Sequence, residues 1–147
     1  MEGGPKQARV YFRRDGKRVI VATVHHTPKG ILVEAEGPLS LTSWDEEALG
    51  ESLQTALEQS SIFTRDLPGM EPAYGPALKV SGEPSARSFQ VSFLRIDLFG
   101  VKPVVLIDGT SEKDGLRLRL QLADDAPPAE FARKATRMFE ILRDRRF

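Results

Sequence analysis

The stretch Ser43-Trp-Asp-Glu-Glu-Ala-Leu-Gly-Glu-Ser-Leu-Gln-Thr-Ala-Leu-Glu-Gln-Ser60 constrains the fold more than any other part of the chain. At about 100° per residue, Leu49, Leu53, Ala56 and Leu57 collect on one side of a helix, with Glu47, Glu51, Gln54 and Glu58 roughly opposite. Such a helix is stable only against another layer that covers its apolar stripe. Ser43 followed three residues later by Glu46 has the spacing of a capping box, which predicts a helix over 44–60. Gly50 costs about 1 kcal/mol relative to alanine inside a helix, a sign of close backbone approach to a neighbour. From Asp45 to Glu58 there are five acids and no base. That surface is either a solvated face or an acidic docking face for a basic partner, with Glu47, Glu51 and Glu58 as the candidate contacts. Trp44, at the helix start, either covers the edge of the core or anchors a partner.

The rest of the chain supplies the second layer. Segments 8–13 and 18–24 flank Asp15-Gly16, a two-residue hairpin signal, and Thr27 to Gly30 turns the chain into a third strand over 31–36. Segment 65–85 carries four prolines and three glycines, with one short helical turn around Ala77 to Val80. Segment 88–99 reads as a strand whose apolar phase slips midway, the mark of a bulge or bend. A strand over 101–107 follows, with Pro103 setting its start at an edge and Asp108-Gly109 opening a turn. Leu116, Leu118, Leu120 and Leu122 alternate with Arg117, Arg119 and Gln121 as a half-buried strand. Pro127-Pro128 then opens a helix whose apolar face is Phe131, Ala135, Met138, Phe139 and Leu142. The expectation is one α+β domain over residues 1–147, a predominantly antiparallel sheet with two main amphipathic helices packed on it.

The chemistry is bounded by elimination. The absence of cysteine excludes disulfides, thiolate catalysis and cysteine zinc sites, and fits a cytoplasmic protein. No apolar run approaches the ~20 residues that span a bilayer, and the first residues do not resemble a signal peptide. His25 and His26, adjacent on a strand, point to opposite faces and cannot share a metal there. Glu47 and Glu51 lie one turn apart without the desolvation that separates an acid from a base. Asp108 to Asp114 lacks the spacing of a calcium loop, and no phosphate loop, nucleophile elbow or zinc-protease helix occurs. The expectation is no enzyme, no metal and no cofactor.

Formal charge is zero, 21 acids against 21 bases, which argues against direct binding to nucleic acid. The charge is segregated, with Lys6, Arg9, Arg13, Arg14, Lys17 and Arg18 near the start and Arg143, Arg145 and Arg146 near the end. Arg117 and Arg119 share one strand face and either clamp an anion or simply line solvent. The 65–85 loop is a second candidate contact, with Tyr74 as its anchor.

Ala48-Leu-Gly-Glu-Ser-Leu-Gln-Thr-Ala-Leu-Glu-Gln-Ser60, after an opening hairpin and a Leu-Thr-Ser segment, resembles a helix of a family of small bacterial immunity proteins. That helix reads L-G-x-x-(x)-L-x-x-A-L-x-x-S, and the family protects cells from contact-dependent growth-inhibition toxins. The resemblance covers the first 60 residues and the rest in outline, with a departure around Pro76 to Ser88. It implies stoichiometric inhibition of a toxin domain, often a nuclease, by occlusion of its active site. Nuclease toxins tend to be basic, so an acidic inhibitor face suits such a partner. The alternative is a non-enzymatic interaction module such as a secretion chaperone or assembly adaptor.

Overall fold

Every strand of the sheet pairs antiparallel with its neighbours, and strands from both halves of the chain meet in its middle. The computed structural model describes residues 6–28, 30, 32–61, 75–111 and 115–144. In chain order the elements are β1 (Lys6–Arg13), β2 (Val19–His26), β3 (Leu32–Glu34), β4 (Leu39–Leu41), α1 (Glu46–Glu58), α2 (Gly75–Ser81), α3 (Ala86–Ser92), β5 (Phe93–Val101), β6 (Val104–Thr110), β7 (Arg117–Ala123) and α4 (Pro128–Asp144). Among the described residues the sheet has seven strands in the order β3-β2-β1-β5-β6-β7, with β4 also pairing β2. The α+β reading with an antiparallel sheet holds.

One sheet face, built from Ala8, Val10 and Phe12 of β1 with Ile96 and Leu98 of β5, carries α1 and α4 over the main core. Phe12 stacks on Phe139 of α4 with centroids 4.7 Å apart. Leu49, Leu53, Ala56 and Leu57 of α1 are buried, as are Phe131, Ala135, Met138, Phe139 and Leu142 of α4, so both helical stripes face inward as their periodicity requires. Gly50 explains itself here. A Cβ at that position would lie 1.7 Å from the carbonyl oxygen of Pro128, so only glycine lets α1 touch the start of α4.

The opposite face is covered over β1 and β2 by the two short helices. Tyr11, Ile20, Ala77, Phe89 and Phe93 form a second, smaller core there. Backbone donors at the start of α2 meet a carboxylate, since Ala77 N–H donates to Glu34 Oε1 at 3.1 Å. The other end of α2 is held by Arg18, which donates to the carbonyls of Val80 and Ser81 at 2.6 and 2.7 Å. Both contacts match the polarity of a helix, positive at its start and negative at its end.

Several boundaries differ from the sequence expectation, each for a local reason. The cap of α1 is Asp45 rather than Ser43; its carboxylate accepts from Ala48 N–H at 2.7 Å, and the helix begins one residue later. The first hairpin forms, but its loop fills the span between the paired residues Phe12 and Val19, with Gly16 at φ 76°. The expected strand 31–36 is shorter, and an unforeseen β4 completes the cover of β2. Segment 88–99 is not one strand: Ala86 to Ser92 is helical, with Ser85 as N-cap accepting from Ser88 N–H. The phase slip marks a junction of helix and strand. Val101 ends β5 and pairs with Val104, with the cis Lys102-Pro103 link between them, and β6 lies inside the sheet rather than at an edge. Asp108-Gly109 is no turn. Gly109 sits within β6 because Leu142 and Met138 of α4 press on it, at 2.5 and 2.8 Å from where a Cβ would stand.

Helix propensity alone favours Gly50→Ala by about 1 kcal/mol, whereas overpacking against Pro128 costs about 1–3 kcal/mol or more. The clash wins, so calorimetry should show a lowered Tm for Gly50→Ala. Leu53→Ala, at a fully buried position, should cost about 2–5 kcal/mol in denaturant unfolding.

Candidate functional site

The outer surface of α1 presents the predicted acidic stripe. Glu47, Glu51 and Glu58 are all exposed, within about 40° of one another around the helix at 100° per residue. Glu46 differs from them, since Arg133 of α4 donates to its carboxylate at 2.7 Å. Trp44 is half-buried and packs against the main core, so much of its ring covers the core edge. Beside the stripe runs a cleft of about 480 Å³ between α1 and the segment joining β3 to β4. Glu51 and Glu36 both line it, with Leu39 exposed at its rim. Sequence reading missed Glu36, because nothing local shows that the β3–β4 link returns beside α1. Tyr74, with the 65–74 part of the predicted loop, lies outside the described residues.

The second surface is on the other side of the sheet, and its foundation is buried. Arg9 of β1 is 2% exposed. Its guanidinium meets Asp97 of β5 at 3.0 Å and Glu34 of β3 at 3.3 Å. Glu34, whose side chain is fully buried, also accepts a short hydrogen bond from the Tyr11 hydroxyl. Burial raises the Glu34 carboxyl above its ordinary range, and the hydrogen bond from Tyr11 with the charge of Arg9 opposes that rise. Burial and the neighbouring Glu34 charge likewise raise the Tyr11 hydroxyl, which stays protonated. A strand pattern in which Arg9 alternates with Ala8 and Val10 reads as a solvent face, so this network was hidden from sequence reading.

From Arg9 a row of charges crosses the sheet in register: Arg9 opposite Asp97, Asp97 opposite Asp108, and Asp108 opposite Arg119. Like carboxylates facing each other repel unless cations hold them. Arg119 grips Asp108 through two hydrogen bonds, at 2.6 and 2.8 Å, and Arg117 adds a longer one at 3.4 Å. The anion that Arg117 and Arg119 clamp is therefore the protein's own. Hydrogen bonds from Arg119 hold the Asp108 carboxyl below its usual range, against the opposing effect of burial. A carboxylate kept ionised by two arginines is a poor proton donor at neutral pH.

The histidines stay on opposite faces, paired with Val33 and Leu32 respectively. His25 Nδ1 accepts from Ser61 N–H at 3.1 Å, and His26 Nε2 is buried with no hydrogen-bond partner among the described residues. Burial lowers the pKa of both, with the charge of Arg9 adding to the effect at His26. Among the described residues no three His, Cys, Asp or Glu side chains group as metal ligands, and no helix is long and apolar enough to cross a membrane.

Removing the buried cation leaves the buried Glu34 without its cation and Asp97 with Arg95 alone, so Arg9→Ala should cost about 3–5 kcal/mol in denaturant unfolding. Asp108 provides a pH test. Its folded pKa lies below the ordinary 3.8, so its contribution to stability is present above that value and is lost as pH falls through the folded pKa. Glu34, raised, has the opposite sign and weighs against stability as pH climbs through its folded pKa. Comparing Asp108→Asn with the parent isolates the first effect. The Tm deficit of the variant should be full near neutrality and vanish in strong acid; a deficit independent of pH would assign the cost to packing.

No protein-family model and no curated protein matches the sequence. Solved structures do share the fold. One is a protein of unknown function from Neisseria meningitidis, 15% identical, with a TM-score of 0.68 over 90% of this chain and 92% of that one. Another is a chain of the CdiA-CT/CdiI toxin and immunity complex from Yersinia pseudotuberculosis, 15% identical, with a TM-score of 0.67 over 96% of this chain and 98% of that one. At such identity the likeness is one of fold, and it spans nearly the whole length of both chains.

Proposed function

We propose that this chain is an immunity protein, a non-enzymatic inhibitor that binds a bacterial toxin domain one to one and occludes its active site. The observation that carries this reading is the fold shared, over 96% of the chain, with a component of a toxin and immunity complex. The site chemistry supports the inhibitory half of such a pair. The carboxylates in the sheet are tied to arginines rather than poised for proton transfer. No cofactor, membrane or nucleic acid is required, and the protein acts in the bacterial cytoplasm.

The surface offered to the toxin is the outer face of α1. Glu47, Glu51 and Glu58 are exposed there, and the cleft of about 480 Å³ beside them adds the carboxylate of Glu36 to that of Glu51 for a lysine or arginine side chain of the partner. Nucleases bind phosphates with basic surfaces, so an acidic face attracts them and takes the electrostatic place of the substrate. Trp44 and Tyr74 are the aromatic anchors of this reading, Trp44 through the part of its side chain left exposed just before α1 and Tyr74 from the 65–85 segment. A secretion chaperone or assembly adaptor would use the same face for a different basic partner.

Co-expression with a toxin domain encoded beside the gene should rescue growth, and the purified pair should form a one-to-one complex. Glu47→Gln, Glu51→Gln and Glu58→Gln together should leave the Tm unchanged and slow association by about tenfold at low salt, with little effect at high salt. Absence of rescue and of a complex would sink the immunity reading. A complex whose association rate ignores the triple substitution would keep that reading and remove α1 from the interface.

A further inference from the structure

On the sheet face away from α1, the cover given by α2 and α3 reaches only the start of β5, at Phe93, and beyond it β5, β6 and β7 are left with a groove of about 1000 Å³ that extends to the end of α4. Arg14, Arg87, Arg95, Arg117 and Arg143 line it, against two carboxylates, Asp97 and Asp108. Cations and anions sit at different depths. The Arg95 and Arg117 side chains are 52% and 66% exposed, whereas Asp97 and Asp108 are 15% and 9% exposed. An approaching ligand therefore meets guanidinium groups first, with the carboxylates sunk beneath them.

The guanidinium groups also have donors to spare. Each carries five N–H donors in a planar fork. Arg14 spends its Nε on the Val91 carbonyl at 2.7 Å, and Arg95 spends its Nε on Asp97 at 3.3 Å, so among the described residues the terminal amino groups of both remain available. Arg87 is exposed and has no ion-pair partner among the described residues. A planar fork with both terminal groups available matches a carboxylate, which it binds through two parallel hydrogen bonds. The remaining wall is mixed, with the polar side chains of Gln90, Thr110 and Ser111 beside Val91, which is 64% exposed.

We propose that this groove is a second docking surface, independent of the acidic face, and that its occupant is an acidic polypeptide segment. Charge complementarity chooses an anion, and the groove's other features choose a peptide over a nucleic acid. Phe89 and Phe93 lie in the groove wall but are only 2% and 4% exposed, and Phe99, the partly exposed ring beside them, is one ring rather than a row on which successive bases could stack. The sunken carboxylates oppose an unbroken line of phosphates, yet they can accept hydrogen bonds from peptide N–H groups lying between acidic side chains.

The test uses the full-length protein labelled with ¹⁵N, titrated with a capped oligoglutamate peptide and, separately, with an oligouridylate of equal length. With the peptide, saturable amide shifts should concentrate on α3 and β5 to β7, and affinity should fall as salt rises. Arg87→Gln with Arg95→Gln should weaken that affinity by about tenfold, a loss in keeping with removal of charge-assisted hydrogen bonds. Both residues are exposed and Asp97 keeps Arg9, so the melting curve of this variant should match the parent. The triple glutamine variant of α1 should bind the peptide as the parent does. Shifts spread evenly over the surface, an unchanged affinity in the double variant, or tighter binding of the oligouridylate would each overturn the proposal.

Discussion

A single buried guanidinium organises the face of the sheet that α1 and α4 do not cover. Arg9 has the middle of β1 to itself, with β2 and β3 on one side and β5 on the other, and its partners come from two different strands. Withdrawing such a charge from water costs several kcal/mol, and a buried ion pair often does no better than offset that cost. What it provides is a unique arrangement. A slip of one residue between β1 and β5 would turn Asp97 to the other face and leave Arg9 buried without it, so the wrong register is penalised far more than the right one is rewarded. Glu34, fixed by Arg9 and Tyr11, then offers its second oxygen to the start of α2. The smaller core over Tyr11 and Phe89 follows from that anchorage.

The two long helices rest on a contact of the opposite kind, made by leaving atoms out. Where Gly50 meets Pro128, backbone touches backbone, and α1 lies closer to the start of α4 than any side chain at that position would permit. The same device recurs at Gly109, where β6 gives up a side chain to admit Leu142 and Met138. The first omission seats α1 against α4 and the second seats α4 on β6, so the acidic stripe stands on packed elements. A binding face built on a helix packed this way loses little conformational entropy when a partner arrives.

Parts of the fold whose periodicity is imposed by one buried face were legible in the sequence. Leu53 and Phe139 declared the inward sides of α1 and α4, and the alternating leucines declared β7. Gly50 declared a close approach, though not to which neighbour. Errors arose where a residue's reason for being there is remote. Gly109 looks like a turn residue next to Asp108, and only α4, far along the chain, shows why it is glycine. Phe89 and Phe93 fit a strand or one helical turn equally well, and Ser85 as a cap decides between them. The acidic stripe could be read because its residues are neighbours on one helix. The arginine groove could not, because Arg14, Arg87, Arg95, Arg117 and Arg143 come from five separate elements or turns that only the tertiary fold assembles.

The placement of these two charged surfaces on opposite sides of the sheet gives a neutral chain a direction. With 21 acids and 21 bases the formal net charge is zero, so what a partner feels at close range is the separation between the acidic stripe on α1 and the arginines of the groove. A net charge pulls on a partner whatever the orientation, whereas a dipole in the field of a charged body feels chiefly a torque. Near a basic surface the α1 stripe is attracted and the arginine groove repelled, which favours an approach with α1 foremost. The fraction of encounters that begin in a productive orientation rises accordingly, without the general stickiness toward polyanions or polycations that a large net charge brings.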